Sequence, residues 1–187
     1  MNTQSQDRAS AMAAFDDTYH AFLAEFAQAP DAALPFVPPG DEYAVGVLPM
    51  HLLDSIQHYL SVLDRLLREG FVAFDLSAGP DGVAKAEADA RRHAFLAVHR
   101  PTGADRAPML AELEDGHRAV HARVDPLDDA TFFRQAPVIY SVGGQAYPTS
   151  ANDIMGWLTD HYREHVDQTQ SLLAQWRATT SPNVSGM

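Results

Sequence analysis

The sequence predicts an all-α protein, a four-helix bundle with one long crossover and a small β-hairpin before its last helix. Three features predict it. Apolar residues recur at steps of three and four in four separate stretches, each bounded by Pro or Gly. Residues 71–104 form a long interval between the second and third of them, and a Gly-Gly pair flanked by alternating residues precedes the fourth. At 187 residues the chain is read as a single domain, 1–187, long enough to bury a core without disulfides.

In the first helix, over residues 8–28, Met12, Phe15, Tyr19, Phe22 and Phe26 repeat at helical spacing beside Leu23, and Pro30 ends it. His20 falls off that stripe and is read as solvated. Residues 30–43 hold Pro30, Pro35, Pro38, Pro39 and Gly40, a stiff, non-helical connection. The second helix starts at Ala44 or Leu48 and runs to Glu69, closing at Gly70. Pro49 fits in its first turn, where its missing N–H costs nothing. Leu53, Ile56, Leu60, Leu63 and Leu67 make its stripe, widened by Leu52, Tyr59 and Leu66. In the crossover, the Ala-rich segment Asp81–Val98 predicts a short helix ended by Pro101 and Gly103.

The third main helix covers Asp105–Val124, with Leu110, Leu113, His117, Val120 and Val124 inward. Around Gly143-Gly144, Val138–Pro148 predicts a hairpin pairing Val142 with Gln145 and Tyr140 with Tyr147. The last helix, Ser150–Arg177, opens with Ser150 and Asp153 as a capping box. Its stripe is Ile154, Leu158, His161, His165, Gln168, Leu172 and Trp176. The tail from Thr179 onward is expected to fray.

Lys and Arg number 13 against 25 Asp and Glu, a net charge of −12. That balance opposes nucleic acid and anionic membranes and leaves small molecules or proteins as partners. The absence of Cys removes disulfides, thiolate metal sites and cysteine nucleophiles. Met1–Ser10 has no apolar core, and no run reaches the roughly 18 apolar residues of a membrane span. A soluble, cytoplasmic protein is the expectation.

Histidine carries the functional signal. Random placement of 9 His in 187 residues gives about 0.4 pairs four apart; the chain holds two, His161 with His165 and His117 with His121. Imidazoles four apart on a helix face lie one turn above each other and can share one ion. Both members of the first pair lie on an inward stripe, where polar groups need partners and a metal supplies one for both rings. The second pair is split, which reads as one satisfied core histidine and one surface histidine. On the second helix His51 and His58 both edge the apolar stripe. At about 1.5 Å rise per residue they lie some 10 Å apart, and periodicity does not choose between them.

These residues resemble the DinB-like family of metal-binding four-helix proteins. The first matching stretch is Tyr43 followed eight positions later by His51, an apolar residue and Asp54. The second is His161-Tyr-Arg-Glu-His165, with Gln168 three further on. Carried over, the resemblance selects His51, His161 and His165 as ligands of a divalent metal ion, zinc or nickel, and leaves His58 aside. It also implies an up-down-down-up bundle, a homodimer and, for enzymatic members, transfer of a low-molecular-weight thiol such as bacillithiol or mycothiol to an electrophilic substrate. Tyr43 stands where the family usually has Trp.

Two other readings compete. A non-enzymatic bundle would use the same ion structurally. An inverted-zincin peptidase would use His161-x-x-Glu164-His165 with Glu164 as general base and needs an acidic third ligand.

Overall fold

In the computed structural model, which describes residues 7–180, the first long helix, α1 (Arg8–Phe26), buries Ala11, Phe15, Tyr19, Phe22 and Phe26 at steps of four, four, three and four. His20 is exposed, as its place off the stripe predicts. α1 stops at Phe26, short of Pro30, and the Pro-rich connection is not wholly extended. It makes 3-10 turns at Asp31–Ala33 and Val45–Val47. The second turn feeds α2 (Leu48–Arg68), with Pro49 in the first helical turn. Gly70 takes φ 67° just past its end, the left-handed conformation that closes a helix.

The buried face of α2 is rotated from the expected stripe. Leu52, Ile56, Val62, Leu63 and Leu66 are buried, whereas Leu53, Leu60 and Leu67 lie only half-buried on its flank. Leucines at consecutive positions (52/53, 66/67) satisfy two helical phases, and only the neighbouring helices decide between them. The rotation also turns the row His51, Ser55, His58, Val62 toward the interior side, with Val62 fully buried.

The crossover is more ordered than the sequence suggests. A two-residue strand β1 (Phe74–Asp75) is followed by α3 (Gly79–Val98), a full-length helix rather than a short one. Gly79-Pro80 and Gly82 read as breakers, yet Pro is tolerated at the start of a helix. Gly82 is there because a Cβ would come within 2.3 Å of the Ser77 backbone.

α4 (Gly103–Val124) starts at a capping box of Thr102 and Asp105 and carries Pro108 in its second turn. Its last carbonyls are covered by Arg8, which donates to the Val124 carbonyl oxygen at 3.0 Å. A short α5 (Asp129–Phe132) leads to the hairpin β2 (Ala136–Ile139) and β3 (Ala146–Thr149). The register differs from the expected one: Val138 faces Tyr147 and Ile139 faces Ala146. The turn is Ser141–Gly144, closed by the Gly144 N–H on the Ser141 carbonyl, with Gly143 at φ 69°. Only Gly143 takes the positive φ, so the turn centre moves one residue back. β1 adds in parallel to β2, making a three-stranded sheet of order β1-β2-β3 where a lone hairpin is expected.

α6 (Ala151–Thr180) is the longest helix. Its capping box forms as the sequence predicts. The Asp153 N–H donates to Ser150 Oγ at 3.1 Å, and the Ser150 N–H donates back to Asp153 Oδ2 at 2.9 Å. The helix continues through Thr180; residues 181–187 of the tail expected to fray, like residues 1–6 of the polar lead, lie outside the described residues. α6 has two inward faces. Ile154, Leu158, His161 and His165 turn toward α2, while Met155, Tyr162, Thr169 and Leu173, off the predicted stripe, are buried as well. α6 therefore packs on both α1 and α2, and α2 in turn packs on α4. One apolar cluster runs through these four helices and the sheet, and a smaller one joins Tyr43, Ala44 and Val47 to Leu96 of α3.

Because the capping box satisfies otherwise orphaned N–H groups at the start of α6, Ser150→Ala should cost about 1 kcal/mol. The measurement is a urea melt: the midpoint falls while the slope stays unchanged, as for a local loss with the same core.

Candidate metal centre

Two helices bring three imidazoles to one point. His51 stands on the first turn of α2, and His161 and His165 one turn apart on α6. His161 Nε2 lies 3.2 Å from His51 Nε2 and 2.8 Å from His165 Nε2. The donor atoms of all three rings fall within 4.8 Å of one another. An ion bound tetrahedrally at Zn–N distances sets its nitrogens about 3.3–3.4 Å apart. The His51–His161 separation nearly matches, and the His161–His165 one needs to open by a few tenths of an ångström. The His51 ring stands edge-on to both others, at 86° and 85° and 5.0 Å between centroids.

A hydrogen-bond chain sets the tautomer of one ring. Gln168 donates through Nε2 to Asp41 Oδ1 at 3.2 Å, which turns its carbonyl oxygen toward His165. His165 Nδ1 then donates to Gln168 Oε1 at 2.7 Å. With the proton fixed on Nδ1, the Nε2 lone pair faces the other two rings, the state a metal ligand needs. Burial, with neighbouring imidazoles adding to it, pushes His165 down to about 3 and His161 to about 4. Burial also lowers His51, partly offset by the Asp54 carboxylate. At neutral pH all three rings are uncharged. Three neutral nitrogen donors, with no carboxylate in the set among the described residues, fit a divalent metal ion.

The mouth of the site lies between α2 and α3. A cavity of about 350 Å³ is lined there by Tyr43, His51, Asp54, His58, Arg92 and His93, among others. Asp54 accepts from Arg92 Nε on both oxygens, at 3.1 and 2.8 Å, tying α3 to α2. The Tyr43 ring sits 5.2 Å from that of His51, and its hydroxyl meets His93 Nδ1 at 2.7 Å. His58 lines the same cavity without joining the three rings; it packs on Tyr59 and Tyr140. Glu164 is exposed, and the side chain that completes the set with His161 and His165 is a histidine of a facing helix. The acidic third ligand and inward general base of the peptidase reading are thus not found here among the described residues. Trp157 packs against Tyr59 and Tyr140.

A family model of the DinB superfamily matches residues 14–169. The chain belongs to the DinB superfamily. No curated protein and no solved structure matches it significantly. A metal-binding helical protein fits that membership, and the matched span contains all three rings.

Several groups of this DinB protein escape a reading of the sequence. Lys85, Asp89, Arg92, His93 and Leu96 share one face of α3, a periodicity that reads as a solvated face until α3 is known to lie over α2. Asp41, in the Pro-rich connection, carries no periodic signal at all. In the His117/His121 pair His117 is the buried, satisfied core histidine expected, whereas His121 is half-buried rather than on the surface and reaches the same carboxylate, Asp16 of α1.

In metal-free protein the buried rings link stability to pH. The unfolded chain protonates its imidazoles near pH 6.5, whereas the folded chain keeps His161 and His165 neutral down to about 4 and about 3. The unfolded state binds more protons across that window, so stability falls as pH drops from about 6.5, with His161 contributing down to about 4 and His165 down to about 3. Urea midpoints of chelator-treated protein between pH 7.5 and pH 4 measure this, and the fall is shallower in His165→Gln.

Proposed function

We propose that this DinB protein is a metal-dependent thiol transferase, in which His51, His161 and His165 hold a divalent ion and a low-molecular-weight thiol is transferred to an electrophilic substrate. The observation that carries the proposal is the convergence of three neutral imidazole nitrogens, one of whose rings, His51, lines an open cavity. A bound zinc or nickel ion supplies Lewis acidity that lowers the pKa of a thiol, making the nucleophilic form available at neutral pH.

The chain's own residues handle position and charge. Gln168 and Asp41 hold the His165 proton on Nδ1, away from the reacting side. Tyr43, His51 and the Arg92–Asp54 pair all line the cavity, so a polar small molecule meets both donors and acceptors. A cavity of about 350 Å³ lies at the small end of ligand pockets and suits a small conjugate rather than a polypeptide. In the reaction the thiol S–H breaks and its proton leaves to solvent or to the departing group. The sulfur forms one bond to the electrophilic centre, whose leaving group takes the bonding electron pair.

Mass spectrometry of the native protein should find an ion that His161→Ala and His51→Ala each remove. Thiol consumption with a model electrophile should fall more than about a hundredfold in the same variants, since metal activation of a nucleophile is worth at least several kcal/mol. A chain that binds an ion at these rings and shows no conjugation with any thiol tested supports the structural-metal reading instead.

Gln168→Ala keeps all three donor nitrogens but frees the His165 tautomer. Loss of such a supporting hydrogen bond should weaken zinc affinity about 10- to 100-fold, read by competition with a chromophoric chelator.

A further inference from the structure

A second convergence of donors lies beyond Tyr162. Asp16 Oδ1 on α1 lies 3.0 Å from His117 Nε2 and 2.7 Å from His121 Nε2, both on α4. The three donor atoms fall within 4.8 Å of one another. We propose that Asp16, His117 and His121 form a second divalent-cation site, a two-histidine, one-carboxylate set separate from the three-histidine centre.

Four observations support it. First, the His117 ring is fixed before any ion arrives. It is 7% exposed and stacks on Phe15 at 4.3 Å and on Tyr19 at 3.9 Å. That packing aims its Nε2 at Asp16. Second, His121 Nε2 meets the same Asp16 oxygen as His117 Nε2, so both rings of the α4 pair aim at one point.

Third, the set is open on one side. The side chains of Asp16 and His121 are 37% and 28% exposed against 9% for His117, so water can complete a coordination sphere. Fourth, the cluster pairs one carboxylate with two imidazoles. The local charge is negative, in a chain of net charge −12, which favours a cation. Two imidazoles and one carboxylate suit zinc, cobalt, nickel or ferrous iron, and disfavour calcium and magnesium, which prefer all-oxygen sets.

The arrangement repeats the construction of the first centre: two His four apart on one helix and a donor from a facing helix. Tyr162 separates them, its ring 6.2 Å from that of His117 on one side and its backbone adjacent to His161 on the other. The alternative is a purely structural bridge, with Asp16 accepting from two N–H groups and holding α1 to α4.

Equilibrium dialysis of the full chain against Co²⁺ or Zn²⁺ distinguishes them. Expected are two equivalents for the wild type and one each for Asp16→Asn, His121→Gln and His161→Ala. The His121→Gln/His161→Ala double variant should bind none. Asp16→Asn keeps the size and an acceptor oxygen, and His121 lies at the margin of the core, so circular dichroism should show both variants folded. Wild-type saturation at one equivalent that His161→Ala abolishes, with Asp16→Asn and His121→Gln unchanged within twofold, overturns the second site, as does a wild type that binds no ion. One equivalent that survives His161→Ala and disappears in Asp16→Asn supports the second site and defeats the three-histidine reading.

Discussion

The interior of this bundle holds imidazoles in a place that does not tolerate their charge, and much of the surrounding structure follows from that constraint. Three rings meet at the seam between α2 and α6 with no carboxylate among them. Each must stay neutral, and each neutral ring must still place its N–H and its lone pair. Asp41 orients Gln168, and Gln168 orients His165. A loop residue 124 positions away in sequence thus determines which nitrogen faces the cluster. The neighbouring hydroxyls show the same economy of satisfied groups, since Thr159 and Thr169 donate back to carbonyls one turn earlier on α6. The exception is the Tyr162 hydroxyl, buried with no partner among the described residues.

α3 stands apart from this economy. Of its residues only Gly82 and Leu96 are buried, so little apolar area holds it to the bundle. Side-chain contacts do the rest: Arg92 with Asp54, and Tyr43 with His93. The Arg92 and Asp54 side chains are 40% and 26% exposed, and a pair of that kind contributes about 0–1 kcal/mol. A helix docked so lightly belongs to the low-stability end of a fold, where elements open without unfolding the core. It covers the cavity beside His51, so access to that cavity can change while α1, α2, α4 and α6 stay packed.

How much of this is legible in the sequence depends on where each signal resides. The start of α6 is local chemistry, Ser150 and Asp153 three apart, and the capping box forms. The pairing of His161 with His165 is also local, because helix geometry alone places them one turn apart. Choosing His51 over His58 is not, since both edge the same stripe; the family resemblance points to His51, and in the structure it is His51 that meets the α6 rings. The phase of α2 is ambiguous wherever two leucines adjoin, and the burial of Val62 shows which phase the neighbours impose. A helix in Asp81–Val98 is legible from its Ala content, but its start and full length are hidden by Gly79-Pro80 and Gly82, which resemble a break and prove to be a helix start shaped by the Ser77 backbone. Asp16 could not be found at all: it meets His117 across 101 positions, through a contact that only the packed helices create.

The two histidine pairs differ in one respect that separates their chemistry. At the α2–α6 seam the third donor is a neutral imidazole, so a dication held there keeps its full formal charge and its power to polarise a bound group. At α1–α4 the third donor is the Asp16 carboxylate, which cancels one unit of that charge and weakens the same power. Access runs in parallel. His51 of the first set borders a cavity of about 350 Å³ that also takes in Tyr43 and Arg92, whereas at the second set the Asp16 and His121 side chains are 37% and 28% exposed and His117 is 9% exposed. Two sets built on the same spacing of histidines therefore differ in charge and in surroundings: all-neutral donors with a cavity beside His51 in the first, and a carboxylate shared between two rings, linking α1 to α4, in the second.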